Sequence, residues 1–180
     1  MRPLPIISKV FVFMFFVSIC SCSGSQNRGE REKSVDIPLE TYININRKLV
    51  GREQEKIKKF VDDNQLNMKS TGTGLWYRID EEGSGNFIQK GEVVRLEYRI
   101  KLLDGTICYD SEELGPKEFL VGRGGVEAGL EEGILMLKKG AKASFIMPPH
   151  LAHGLVGDDG KIPSRAILLY DVEVVDVSYQ

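Results

Sequence analysis

Val126-Glu127-Ala128-Gly129-Leu130-Glu131-Glu132-Gly133-Ile134-Leu135-Met136-Leu137 is the one good helical interval in a long series of strand-like segments, and its reading decides the fold. Val126, Leu130, Ile134 and Leu137 fall on one stripe, the spacing of an amphipathic helix that buries a single face. The acids lie early, where a helix N-terminus favours negative charge, and Lys138-Lys139 lie near the end. Gly140 is a natural stop. Working outward, the period becomes two. Before the helix, Val93-Val94-Arg95-Leu96-Glu97-Tyr98-Arg99-Ile100-Lys101-Leu102 carries charges on alternate positions, which puts one face of a strand on a core and one in water. Asp104-Gly105 supplies a tight turn into Thr106-Ile107-Cys108-Tyr109. Further strands are expected at 75–79, 118–121, 142–147 and 166–175, with a turn at 81–86. Residues from about 74 to 178 therefore read as α+β: a curved antiparallel β-sheet wrapped around one short α-helix.

A short helical segment precedes this domain. From Pro38 to about Val61, Leu39, Tyr42, Ile43, Leu49, Ile57, Phe60 and Val61 include helical spacings among strong helix formers, so one or two short helices are expected, with Gly51 as an interruption and Asp62-Asp63-Asn64 as a turn. This lead could pack on the domain, pair with a second copy of the chain, or hold the domain away from a membrane. A truncate lacking residues 23–70 is expected to fold, with some stability lost if Phe60 or Val61 packs against the domain.

The N-terminus reads as a targeting segment. Arg2 and Lys9 supply positive charge, and Val10 to Ile19 is an apolar run too short for a permanent bilayer span. It ends in Ile19-Cys20-Ser21-Cys22-Ser23-Gly24, the pattern of a bacterial lipoprotein signal. Cys22 is the expected lipidation site, because the small Ser21 precedes it whereas the bulky Ile19 precedes Cys20. The resulting organisation is a lipoprotein signal peptide at 1–21, a flexible tether at 22–36, the helical lead at 37–70 and the folded domain at 71–180. The expected location is a periplasm-facing membrane, the outer membrane foremost, with the protein held by its lipid anchor.

Charge and cysteine content narrow the function. Lys and Arg number 24 against 26 Asp and Glu, a formal net charge of -2, and no basic cluster is present, so nucleic acid is not an expected partner. Of three cysteines only Cys108 would remain as a thiol after processing, which excludes an intramolecular disulfide or a thiolate metal cluster in the mature protein. His150 and His153 follow Pro148-Pro149 in a loop without a clear carboxylate partner, a weak zinc pattern. Asp158-Asp159-Gly160 reads as a turn, since the regular oxygen ligands of a calcium loop are missing.

The order of motifs is more specific than any one of them. Tyr98, then Leu103 to Ser111, Phe119 to Gly133, Met136, Gly140, Ile146 with Pro148, Ala152-His153-Gly154, Ile162-Pro163 and Leu168 to Glu173 together resemble the FK506-binding-protein type of peptidyl-prolyl cis/trans isomerase over roughly Gly91 to Asp176. The likeness extends to lipid-anchored, gliding-associated members from Gram-negative bacteria. This resemblance implies a pocket lined by Tyr98, Tyr109, Asp110, Val126, Glu127, Leu130, His153, Ile162 and Tyr170, with Glu127 contributing mainly its backbone N–H. Three positions depart from the family pattern: Leu130 replaces a large aromatic floor, His153 a tyrosine, and Lys117 an aromatic at the rim.

The implied chemistry needs little machinery. Rotation about a prolyl amide costs about 18–20 kcal/mol because resonance is lost, yet no bond breaks, so neither nucleophile, metal nor cofactor is required. A concave apolar site that favours the twisted amide over the planar one suffices. The expected partners are proline-containing polypeptides, exported proteins in particular. The alternative is a module that binds proline-containing segments with little turnover.

Overall fold

The computed structural model describes residues 38–179, and its first element is a 25-residue helix, α1, Leu39–Asp63. Pro38 stands immediately before it, where a missing N–H leaves no hydrogen bond unmade. The expected interruption at Gly51 does not occur. A glycine costs a helix about 1 kcal/mol relative to alanine, and the Arg, Glu, Gln and Lys residues that follow it are strong enough formers to carry the helix through. The end comes at Asn64, whose side-chain amide donates to the Phe60 carbonyl at 2.8 Å, and Gln65 then turns the chain with φ of 53°.

The remaining elements are β1 (Lys69–Ser70), β2 (Trp76–Glu81), β3 (Ser84–Phe87), β4 (Glu92–Leu102), β5 (Ile107–Asp110), α2 (Ser111–Leu114), β6 (Lys117–Leu120), α3 (Ala128–Ile134), β7 (Lys138–Lys139), β8 (Lys142–Met147), a 3-10 turn (Pro149–Leu151) and β9 (Leu168–Tyr179). Seven strands form one antiparallel sheet in the order β1-β2-β8-β9-β4-β5, with β6 also paired to β4. The architecture is α+β, as the alternation in β4 and the single apolar stripe of α3 predict. β4 and β9 pair along the whole of β4, from Glu92 opposite Tyr179 to Leu102 opposite Leu168.

Two local expectations are corrected. The segment read as a turn at 81–86 contains β3, which pairs with β7 in a separate two-stranded sheet. The helix expected over 126–137 is shorter, and Lys138-Lys139 belong to β7. The cause is competition for backbone groups: Ile88 N–H donates to the Leu137 carbonyl at 2.9 Å, drawing the chain out of the helix. The exit is wound tightly, with Met136 and Leu137 donating to Gly133 and Ile134. Gly140, at φ of +78°, turns the chain between β7 and β8 instead of ending the helix.

The sheet is covered on both faces. On one, Leu130 and Ile134 of α3 join Val94, Leu96, Phe145, Leu168 and Val172 in the main core. Helix and sheet approach closely because two glycines face the strands: a Cβ on Gly133 would lie 2.6 Å from the Phe145 ring, and one on Gly129 2.9 Å from Met147 Sδ. On the other face, Ile57 and Val61 of α1 pack with Ile146, Ile167, Trp76 and Leu169. Full burial of a side chain such as Ile57 stabilises by roughly 2 kcal/mol. Gln54 fixes the docking by donating to the Gly74 carbonyl at 3.0 Å and accepting from Trp76 Nε1 at 2.9 Å. Buried Glu53 pairs with Arg165 in the segment before β9. The C-terminal half of the lead therefore packs on the domain, while Leu39, Tyr42, Ile43 and Ile45 in its N-terminal half are exposed. The expected signal peptide at 1–21, Cys22 and the tether at 22–36 lie outside the described residues.

Candidate active site

The backbone of β4 leaves an opening at Tyr98. β6 pairs with Val93–Leu96 and β5 with Arg99–Lys101, so neither reaches residues 97 and 98. Ser111 of α2 replaces the missing ladder partner, its hydroxyl accepting from Tyr98 N–H at 2.9 Å. Across the sheet, Tyr170 of β9 is wholly buried, and its ring lies 6.1 Å from that of Tyr98 at 38°. Leu130 and Ile162 are buried in the same core, and Val126 packs against it half-buried.

Three polar side chains meet beside these tyrosines. Lys117 opens β6, Glu127 precedes α3, and His153 follows the 3-10 turn. Lys117 Nζ donates to the Tyr170 hydroxyl at 2.8 Å and lies 5.2 Å and 5.5 Å from the Tyr98 and Tyr170 ring centroids. It is also 3.5 Å from Glu127 Oε2, while Glu127 Oε1 meets His153 Nε2 at 3.2 Å. Glu127 Oε2 is buried without a hydrogen-bond partner among the described residues. These groups, with Gly125, Val126 and Ala152, line a cavity of about 350 Å³. Lys117 is thus more than a departure at the rim: its ammonium stands over the Tyr98 ring and caps the Tyr170 hydroxyl, an arrangement that linear spacing gave no means of seeing.

Tyr109 and Asp110 have other partners. The Tyr109 hydroxyl bonds to Asp158, which also accepts from Gly160 N–H and Ile162 N–H at 2.8 Å each, so Tyr109 ties β5 to the loop that carries Ile162. Asp110 accepts from Glu112 N–H at 2.9 Å and pairs with Arg99, capping α2 and holding the wall beside Ser111. The two histidines diverge, His150 meeting the Thr73 carbonyl and His153 meeting Glu127.

Electrostatics follow burial and partners. Burial pushes the Tyr170 phenol far above its ordinary value, with the Glu127 charge adding to the effect, and the same two causes raise Tyr98. The bond to Asp158 raises Tyr109. The Glu112 N–H and then Arg99 hold Asp110 below the usual carboxylate range. For Asp158 burial alone would raise the value, but donation from Tyr109, Ile162 and Gly160 outweighs it and the carboxyl is held low.

A larger groove of about 800 Å³ is lined by Tyr98 and Asp110 together with Arg78, Arg99, Lys142 and Asp171. Its charges compensate one another, as in Arg78 with Asp80 and Arg99 with Asp110, so it reads as a solvated sheet face. The smaller cavity brings the polar side chains of Lys117, Glu127 and His153 together beside Val126 and Ala152, next to the Tyr170 hydroxyl, and is the better candidate site.

Comparison with known proteins gives the family. Residues 84–175 match the family model of FKBP-type peptidyl-prolyl cis-trans isomerase. A probable FKBP-type peptidyl-prolyl cis-trans isomerase from Haemophilus influenzae is 37% identical over 113 residues, covering 62% of this chain and 46% of the relative. The isomerase FkpA from Escherichia coli is 36% identical over 129 residues, covering 71% of this chain and 45% of FkpA. The crystal structure of Escherichia coli FkpA superimposes with a TM-score of 0.64 at 30% identity, covering 78% of this chain and 64% of that one. The chain thus spans about half the length of these curated relatives. With the matched region running from β3 into β9 and containing every residue around the cavity, the chain belongs to the FKBP-type peptidyl-prolyl cis-trans isomerase family.

Proposed function

We propose that this protein is a peptidyl-prolyl cis/trans isomerase that assists the folding of exported proteins, holding a twisted X-Pro amide against Tyr98, Val126, Leu130, Ile162 and Tyr170. The observation that carries the reading is the pair of tyrosine rings 6.1 Å apart, joined through Lys117 to Glu127 at the start of α3, with Leu130 fully buried in the core that holds Tyr170. A twisted amide has less charge separation than a planar one, so an apolar enclosure penalises it less and lowers the barrier. Tyr109 and Asp110 support the wall, and neither is assigned proton transfer. His153 stands where a carbonyl contact is expected by family resemblance.

The placement of Lys117 over the Tyr98 ring and on the Tyr170 hydroxyl favours a second reading, a proline-binding module with little turnover. An NMR exchange or protease-coupled assay on a short X-Pro peptide separates the two. Accelerated exchange supports the isomerase; binding with exchange at the uncatalysed rate supports the module.

Lipid attachment at Cys22 in a periplasm-facing membrane, as in the gliding-associated lipoproteins the chain resembles, completes the proposal. Support comes from the apolar run ending at Ser21-Cys22. Self-association through the exposed apolar residues of α1 is a further part of it, since Leu39, Tyr42, Ile43 and Ile45 are unburied in the single chain.

A further inference from the structure

The charges at the mouth of the tyrosine pocket differ in what they can do when a ligand arrives, and the inference drawn from that difference rests on the prolyl-peptide reading above. A prolyl peptide can reach the Tyr98 face and the Tyr170 hydroxyl only if the Lys117 ammonium, 5.2 Å from the Tyr98 ring centroid and bonded to the Tyr170 hydroxyl at 2.8 Å, withdraws. Lys117 can do so: its side chain is 26% exposed and rides on a flexible four-carbon stem. Glu127 cannot follow. Its side chain is only 6% exposed, it sits in the turn that starts α3, and Oε1 is engaged by His153 at 3.2 Å.

Withdrawal of Lys117 therefore leaves a fixed negative charge in the wall of an occupied pocket. Oε2 is already without a hydrogen bond, because Lys117 stands at 3.5 Å, near enough for an ion pair but too far to donate. A buried acceptor without a donor is costly, and a buried charge that has lost its partner is costlier. A neutral peptide leaves that penalty in place. An acidic peptide adds like-charge repulsion, whereas a basic one supplies the missing donor and charge together.

We propose that Glu127 is a specificity-determining residue and that the groove selects prolyl peptides with lysine or arginine next to the proline, whose cation takes the place of Lys117 against the Glu127 carboxylate. The role lies in the side chain and is separate from any contact made by the Glu127 backbone.

The test uses the full chain and three short peptides that differ only in the residue before proline, Lys, Leu or Glu. In the native protein kcat/KM for Lys-Pro should exceed that for Glu-Pro by at least about tenfold with Leu-Pro between them, and Glu127→Gln should compress the span to about twofold. Lys117→Met, which removes the competing cation, should widen the ratio of Lys-Pro to Leu-Pro. Equal turnover of all three peptides by the native protein overturns this inference and leaves the isomerase reading standing. So does a preference that survives intact in Glu127→Gln with an unchanged thermal unfolding curve, or a ratio that narrows in Lys117→Met. If no peptide is turned over, the isomerase reading fails, and calorimetric binding of the same peptides ranks them directly; equal binding, or none, overturns the inference as well.

Discussion

Lys117 donates to the hydroxyl of Tyr170 at 2.8 Å, so the most deeply buried aromatic of the candidate pocket is capped by a cation from the opposite edge of β4. The cap and the carboxylate that balances it form one unit. Lys117→Phe alone should destabilise the fold by about 1–3 kcal/mol, because it leaves Glu127 buried without its counter-charge. The double variant Lys117→Phe with Glu127→Ile should recover most of that loss and turn over a Leu-Pro peptide faster than the native protein. Chemical unfolding and peptide exchange on both single variants and the double check the coupling, and additive effects would show that the two residues act independently.

Tyr170 separates ring from hydroxyl. Tyr170→Ala removes an aromatic wall and should slow peptide isomerisation by at least roughly tenfold in folded protein. Tyr170→Phe should retain most turnover while losing the bond to Lys117. The hydroxyl also carries a pH signature, because burial raises the phenol well above its unfolded value near 10. Its contribution to stability is complete below that unfolded value and is lost progressively as the pH rises from there towards the folded value. Thermal unfolding should therefore weaken above about pH 10, and less steeply in Tyr170→Phe.

The acid side is governed by carboxylates. Asp110 and Asp158 are held below their ordinary range, so the stability they contribute is present above about pH 4, the unfolded value, and is lost as the pH falls through their lower folded values. Asp158→Asn should flatten the loss of stability below about pH 4 while lowering stability at neutral pH, since the Tyr109 link to the Ile162 loop weakens. A melting curve at pH 3 identical in shift to that of the native protein would place the acid sensitivity elsewhere.

What the sequence revealed follows from which signals are periodic. The alternation of β4 and the stripe through Leu130 and Ile134 give α+β directly, because each element buries one regular face. β3 carries no such signal: Ser84, Gly85, Asn86 and Phe87 are all exposed, and their pairing with β7 rests on backbone and on Lys138 over the Phe87 ring. The stripe misleads at Leu137, which is buried at the right spacing although the chain has left the helix. Among the residues that family resemblance singles out, Tyr98 and Tyr170 are neighbours, Glu127 meets His153, and Lys117 connects the two pairs. That resemblance could not give the partners of Asp110, which lie at Arg99 and the Glu112 N–H, nor the meeting of Lys117 with Glu127, ten residues apart at the starts of successive elements.

Attachment is tested at the N-terminus. Cys22→Ser should abolish incorporation of labelled fatty acid and release the protein from membranes, whereas Cys20→Ser should leave both unchanged, because Ser21 still offers a small residue before Cys22. Mass spectrometry of the membrane-extracted protein checks the site; acyl groups on Cys20 with a free Cys22 thiol would move the processing boundary.

The last prediction divides α1 at the point where it meets the sheet. Residues before about Glu53 leave most of their apolar side chains exposed, whereas Ile57 and Val61 are buried against Ile146 and Ile167. Deleting residues 23–49 should therefore leave the unfolding temperature and peptide turnover nearly unchanged, and should abolish any dimer seen by sedimentation if Leu39, Tyr42 and Ile43 form the contact. Deleting residues 23–70 is a different operation, since it strips one face of β8 and removes the Glu53 pairing of Arg165 and the Gln54 bridge to Trp76. Exposing that face should cost several times the 2–5 kcal/mol typical of a single buried Ile→Ala change, enough to unfold a marginally stable domain. Ile57→Ala in the full chain gives the graded version of the test. A 23–70 truncate as stable as the full chain would mean that the packing of α1 on the sheet contributes nothing net, and that the domain beyond residue 70 stands alone.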